Sequence, residues 1–93
     1  MKNNYLQKSQ ALFSKIEKLW ELPTGNEKEE KKKHDKVHKI DNKIKAIFMP
    51  KINYYLRKND WKKIQELIHE MPATVNRFDL TSKLRNIKNE RNK

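Results

Sequence analysis

The sequence has no cysteine, one glycine and three prolines, and each shortage excludes something. Without cysteine there is no disulfide, no thiol nucleophile and no thiolate ligand for a metal ion. With one glycine, the chain can supply neither many hairpin turns nor a glycine-rich phosphate-binding loop. The longest apolar run covers residues 46–49, far below the ~18 residues of a transmembrane helix. These absences favour a helical protein without a transmembrane segment, and we expect it to be cytoplasmic.

Apolar residues recur at helical spacing along most of the chain, and no segment alternates with the two-residue period of a strand. Only 34% of the residues are hydrophobic and 38% are charged, so any core must be thin. A length of 93 residues is typical of one domain. We therefore predict a single all-α domain over residues 1–93: a small bundle of four to five short helices with a frayed, basic C-terminus.

The first half of this domain is divided by a proline and by a change in composition. The first helix is predicted over residues 1–22, because Pro23 follows it. Residues 27–36 form a charged tract, acidic and then basic. An apolar stripe begins only after this tract, at Val37. We expect this tract to be exposed and mobile on its own. The remaining helices are predicted within residues 37–87.

Within that second part, proline and capping residues indicate where helices begin and end. Pro50 either ends a helix or kinks it, since a helix-interior proline loses a backbone hydrogen bond. Asp60 is a natural N-cap for the next helix, and Asp79 or Thr81 for the last one. No apolar residue occurs in residues 88–93, so we predict a frayed tail there.

Positive charge is concentrated in the middle of the chain. Residues 31–63 contain twelve Lys and Arg against three Asp, while the whole chain has a formal net charge of +11. So much positive charge on a small domain is self-repelling and indicates an anionic partner, most often a nucleic-acid backbone. A Lys-rich genome composition is an alternative explanation, but it does not explain why acidic residues become rare after Glu30.

Four lysines of this stretch share one helical face, which we place opposite the apolar stripe of residues 37–47. Such a row can follow a phosphate backbone and release a condensed counterion at each contact. Tyr54 and Tyr55 are about 100° apart around a helix. Both cannot face one core, so we predict that Tyr54 is exposed and can stack on a base. The residues predicted to bind nucleic acid are Lys32, Lys36, Lys39, Lys43, Lys51, Tyr54, Arg57, Lys58, Lys62, Lys83, Arg85, Lys88 and Arg91.

Three large aromatic residues near these charges, Phe48, Tyr55 and Trp61, are predicted to be core residues, because burial is what aromatics at helical spacing usually show. His34 and His38 stand one helical turn apart, with some similarity to the His-Glu-x-x-His zinc motif. The surrounding lysines would repel a dication and no third ligand is near, so we expect no metal and no cofactor. The spacing of Ser, His and Asp suggests no catalytic combination, and we do not expect an enzyme.

A short segment near the C-terminus invites comparison with a DNA-binding motif. Residues 74–78, Thr-Val-Asn-Arg-Phe, resemble the Thr-Val-Ser-Arg start of the recognition helix in repressors of the lac type. That resemblance implies a helix-turn-helix that reads the major groove. The pattern departs from it at His69, where a turn glycine is usual, and at Glu70, where an apolar residue should pack. We expect a Pro-bounded loop between two bundle helices instead.

We predict a small basic accessory protein that binds nucleic acid, DNA in preference to RNA, with low sequence specificity. Its composition is typical of proteins from phages, plasmids and other mobile elements, in replication or regulation. The alternative is a helical adaptor or inhibitor whose basic face docks on an acidic or DNA-binding protein. An apolar stripe on the first helix could serve such a protein interface or a homodimer: Tyr5, Leu12, Phe13, Ile16, Leu19 and Trp20. A third alternative is an amphipathic protein on a membrane surface.

Overall fold

The computed structural model describes residues 4–92, which form four α-helices and no strand. The helices are α1 (Asn4–Glu21), α2 (Glu27–Arg57), α3 (Trp61–Glu70) and α4 (Val75–Arg91). The all-α prediction is confirmed. The described residues form four helices, the lower of the two predicted numbers. Residues 1–3 of the predicted first helix and residue 93 of the predicted tail lie outside the described residues.

Helix α2 is the central element, because each of the other three helices packs against it. Helix α1 runs antiparallel to it. The ring of Tyr5 packs edge-on against Phe48 with centroids 5.6 Å apart, and Trp20 packs against His34 at 5.0 Å. The Cα atoms span 50 × 35 × 15 Å, so the domain is about one helix pair thick. This shape agrees with the thin core that the composition predicts.

The buried core is drawn from all four helices and from the turn before α4: Ile16, Ile44, Phe48, Ile52, Ile64, Leu67, Met71, Leu80 and Leu84. Phe48 is fully buried, as predicted. Tyr55 and Trp61 lie at the edge of the core and are only partly buried. Tyr54 is 46% exposed, which agrees with the prediction that it faces solvent.

The charged tract of residues 27–36 is the beginning of α2. Its N-cap is Asn26, whose side chain accepts a hydrogen bond from the Glu29 N–H over 3.0 Å. The Glu29 carboxylate in turn accepts from the Gly25 N–H over 2.7 Å. Acidic residues in a first turn are favoured by the helix dipole. The first bond pairs a backbone N–H that a helix start leaves free, and the second ties the residue before the N-cap to the first turn.

Pro50 lies inside α2 and does not end it. The ring of a helical proline presses on the carbonyl four residues earlier, here that of Ala46. Both residues are exposed, so this carbonyl can turn towards water. On the opposite side, the buried Phe48 and Ile52 hold both halves of the helix in one core. Of the two alternatives left open at Pro50, an end of the helix is therefore excluded, and α2 is one helix of 31 residues.

Asn59 and Asp60 form the joint between α2 and α3. Asn59 has a positive φ of 58°, the left-handed conformation that commonly follows a helix. The Asn59 N–H donates to the Leu56 carbonyl and the Asp60 N–H to the Tyr55 carbonyl, which closes the last turn of α2. The Asp60 side chain then accepts from the Lys63 N–H over 3.3 Å. The predicted N-cap at Asp60 is confirmed.

Helix α4 begins at Val75, which corrects the predicted start at Asp79 or Thr81. The cap comes from another helix, because the Asp41 Oδ2 on α2 accepts a hydrogen bond from the Asn76 N–H over 3.2 Å. A contact between residues so distant in the chain leaves no local signal at the start of α4.

The C-terminal end of α4 also differs from expectation, because the helix continues to Arg91 rather than fraying from residue 88. The Arg91 Nη1 donates to the carbonyl of Leu56, in the last turn of α2, over 2.9 Å. Its guanidinium also lies 5.9 Å from the centroid of the Trp61 ring. Since Asn76 meets Asp41 and Arg91 meets Leu56, α4 runs in the same direction as α2.

Candidate functional site

Lys33 fixes the turn between α1 and α2. Its Nζ donates to the carbonyl oxygens of Trp20 over 3.0 Å and Leu22 over 2.8 Å. It also lies 5.3 Å from the centroid of the Trp20 ring. Carbonyls at a C-terminal helix end lack helical partners and attract cations. Lys33 therefore acts as a cap of α1 and holds the two helices in register.

Beyond this turn, α1 and α2 border an open groove of about 510 Å³. Its floor is apolar and consists of Leu19 of α1, Leu22 just after the end of α1, and Ile40 of α2. Leu22 is 56% exposed. Five lysines form the rim, two from α1 and three from α2: Lys15, Lys18, Lys36, Lys39 and Lys43. We call this set of eight residues the lysine groove.

Both helices contribute to the lysine groove with the same spacing. From α1 and the residue after its end the positions are 15, 18, 19 and 22, and on α2 they are 36, 39, 40 and 43. Residues at i, i+3, i+4 and i+7 share one helix face, so each helix presents lysines and apolar side chains together. The pattern Lys-x-x-Lys followed by Leu19 or Ile40 is visible in the sequence, but it is the pairing of α1 with α2 that brings Lys15 and Lys18 to the site.

The predicted lysine row of α2 is exposed: Lys32, Lys36, Lys39 and Lys43. Its position is corrected in one respect, because the row lies beside the apolar stripe of α2 and not opposite it. Ile40 belongs to the stripe and packs against the core, yet it also lines the groove among Lys36, Lys39 and Lys43. Lys32 stands one turn before Lys36, outside the groove lining.

A second group of predicted residues lies at the C-terminal end of α2. The Lys51 Nζ is 4.5 Å from the centroid of the Tyr5 ring, and the Lys58 Nζ is 4.5 Å from that of Tyr54. Interaction with Tyr54 raises the pKa of Lys58 above its ordinary value, so this ammonium group stays charged. Arg57 is exposed beside them. Both lysines already contact aromatic rings of the chain itself.

The other predicted residues lie on α3 and α4: Lys62, Lys83, Arg85, Lys88 and Arg91. Arg91 is engaged in the contacts with α2 described above. Helix α4 packs against α2 at Asp41. Successive residues of a helix are about 100° apart around its axis, so Asp41 points about 160° away from Lys39. The basic residues of α4 and the lysine groove therefore lie on different sides of α2. The structure divides the predicted residues among three surfaces.

Helices α3 and α4 run side by side in opposite directions. Trp61, at the beginning of α3, shares a cleft with Lys88 near the end of α4, and Ile68 shares one with Arg77 near its beginning. A DNA-binding helix-turn-helix instead crosses its helices at about 90–120°. The arrangement agrees with the expected Pro-bounded loop between bundle helices, and Pro72 is buried in that loop.

The lysines of the groove have no carboxylate within ion-pair distance in the described part of the chain. The ion pair found in residues 4–92 joins Lys63 to Glu66 on α3, over 3.6 Å, with both side chains 52% exposed. The positive charge of the groove is therefore not neutralised by contacts within the domain, and it is available to an anionic ligand.

Other kinds of site find little support in the described residues. His34 packs against Trp20, and residues 4–92 contain no group of three His, Asp or Glu side chains placed to hold a metal ion. None of the helices in that range has an apolar stretch of the length needed to cross a membrane. Comparison with protein-family models, curated proteins and solved structures gives no significant match.

Proposed function

We propose that the protein binds nucleic acid without catalysing a reaction, with low sequence specificity and with DNA as the preferred ligand. The interface consists of the α2 row from Lys32 to Lys43 together with Lys15 and Lys18 of α1. The observation that carries the proposal is the convergence of lysines from two helices on one surface, without an ion-pair partner in residues 4–92. An accessory role in replication or regulation, in the cytoplasm, is consistent with this activity.

The length of the row fits a phosphate backbone. Lys32 and Lys43 are eleven residues apart, which corresponds to about 16 Å along a helix. One strand of duplex DNA has a phosphate about every 3.4 Å along the axis, or about five over that length. Lysine side chains are long and flexible, so each can reach a phosphate without a strict register.

The composition of the interface supports low sequence specificity. Guanine is read mainly by Arg or Lys and adenine by Asn or Gln, and the planar side chains of Arg, Asn and Gln form the paired hydrogen bonds of most defined geometry. The lysine groove contains none of these planar side chains, and its polar groups are all ammonium groups. Ammonium groups that contact phosphates position a protein on nucleic acid but do not distinguish sequences.

The test is fluorescence anisotropy with short duplex DNA, single-stranded DNA and RNA at about 50 and about 200 mM salt, a range over which phosphate-driven binding weakens steeply. One variant replaces Lys32, Lys36, Lys39 and Lys43 with Gln. A matched control removes the same number of charges from α3 and α4, by replacing Lys62, Lys63, Lys83 and Arg85 with Gln. Circular dichroism checks that both variants are folded.

We expect the variant of the α2 lysine row to lose affinity for every sequence alike, and the salt slope to shrink by about 0.7–0.9 for each phosphate contact removed. The control variant should retain most of the affinity. A larger loss in the control would move the interface to α3 and α4. Absence of binding by the parent protein at low salt would refute the proposed function.

A further inference from the structure

The floor of the lysine groove is not explained by nucleic-acid binding. A phosphate backbone gains nothing from Leu19, Leu22 and Ile40, because burial of apolar surface requires an apolar partner. Yet Leu22 is 56% exposed. Exposed apolar side chains with a polar rim are typical of a protein interaction site.

The shape of this surface restricts what can fill it. Two antiparallel helices form a trough, and within residues 4–92 its lining comes from α1, α2 and Leu22 in the turn between them. Helix α4 packs on another side of α2, at Asp41, and cannot cover it. The groove is open along its length, and a third helix lying in it would complete a three-helix arrangement.

We propose that the lysine groove binds an acidic amphipathic helix of a partner protein. Apolar residues of that helix at i, i+3 or i+4, and i+7 would pack on the floor, as in other helix-in-groove complexes. Carboxylates on its two flanks would meet Lys15 and Lys18 on one side and the three α2 lysines on the other. Charge complementarity of this kind increases the association rate and disfavours basic partners.

This inference does not depend on nucleic-acid binding, although the two activities share Lys36, Lys39 and Lys43. A helix in the groove would cover these lysines and compete with phosphates for them. The floor separates the two activities, because Leu22 contacts only an apolar ligand. A change at Leu22 should therefore weaken helix binding and leave affinity for DNA unchanged.

The probe is a synthetic helical peptide with Leu at i, i+3, i+4 and i+7, Glu on both flanks and a fluorescent label. A scrambled peptide with the same composition has no apolar stripe and serves as the control for charge. The full chain is titrated into each, alongside Leu22→Ser and Leu22→Met variants. Leu22 is largely exposed, so neither substitution is expected to prevent folding.

We expect saturable binding of the amphipathic peptide, weaker binding of the scrambled one, and about a tenfold loss for Leu22→Ser, the effect of one partly buried Leu side chain. Leu22→Met should restore affinity, because it retains an apolar side chain of similar volume. Equal binding of both peptides, or no effect of Leu22→Ser, would overturn the proposal. Binding to anionic vesicles without binding to the peptide, or self-association that depends on Leu22, would equally reject it.

Discussion

Asp41 on α2 caps the N-terminus of α4. Its Oδ2 accepts a hydrogen bond from the Asn76 N–H over 3.2 Å, and the side chain is only 3% exposed. Backbone N–H groups at a helix start are unpaired and carry partial positive charge, so a carboxylate there is doubly favourable. Thr74, the local N-cap residue, makes no side-chain capping bond of its own.

Asp41→Ala should therefore lower the free energy of unfolding by about 2 kcal/mol, the scale of a buried hydrogen bond to a charged group. Asp41→Asn should cost less, because its side-chain oxygen can still accept the bond. The measurement is urea unfolding followed by circular dichroism. Asp35→Ala, at an exposed position of the same helix, is the control and should change stability by less than about 0.5 kcal/mol. An equally small effect at Asp41 would show that the cap contributes nothing.

Phe48 and Trp61 should differ in their contribution to stability. Phe48 is 0% exposed, so Phe48→Ala should cost about 3–5 kcal/mol, as expected for a large buried aromatic. Trp61 is only partly buried, and Trp61→Ala should cost about 2–3 kcal/mol, below the range for full burial. Urea unfolding of both variants gives the comparison. The reverse order would mean that the edge of the core contributes more than its centre.

Tyr5 links α1 to α3, because its hydroxyl donates to the Glu70 Oε2 over 2.6 Å. This hydrogen bond and burial raise the pKa of Tyr5 from 10.0 to about 12. The bond requires the protonated phenol, so its contribution to stability is present below pH 10 and is lost as the pH rises through about 12.

Tyr5→Phe should lower the free energy of unfolding by about 1 kcal/mol at neutral pH. The difference from the parent protein should shrink above the ordinary pKa of tyrosine. The substitution should also remove the tyrosinate absorbance step at about pH 12 from a spectroscopic titration. Glu70→Gln should lower the pKa of Tyr5, because it removes the negative charge. Loss of a step near pH 10 rather than 12 in Tyr5→Phe, or an unchanged pKa of Tyr5 in Glu70→Gln, would contradict this hydrogen bond.

The lysine row of α2 should not be required for folding. Replacing Lys32, Lys36, Lys39 and Lys43 with Gln removes like charges that repel one another, while all four side chains are exposed. We expect thermal unfolding at low salt at the same or a slightly higher temperature than for the parent. Added salt should reduce the difference, because it screens the repulsion. A clear loss of stability would show that these lysines support the fold.

The boundaries that the sequence predicts well have local causes. Pro23 and Asp60 act on their own neighbours, and the structure agrees with both predictions. The start of α4 could not be found in this way, since its cap is Asp41 on another helix. Helix α2 continues through Pro50 because Phe48 and Ile52, on either side of it, are buried in one core. A rule based on proline alone does not include these contacts.

The candidate site was predictable on one helix at a time. Helical periodicity places Lys36, Lys39 and Lys43 on one face of α2, but it does not show which face of α2 packs against α1. Lys15 and Lys18 therefore remained unassigned until the pairing of α1 with α2 was known. The apolar floor was hidden for the same reason, because Leu22 and Ile40 each resemble ordinary members of a core stripe.

The central position of α2 has a kinetic consequence. Helices α1 and α3 contact α2 as its neighbours in the chain, whereas α4 returns to α2 across 35 residues, from Asn76 to Asp41. Closing this longer loop costs more entropy, and contacts between distant residues form later in folding. Helix α4 should therefore be the last helix to dock and the first to detach. Its backbone amides should then exchange with solvent sooner than those in the middle of α2.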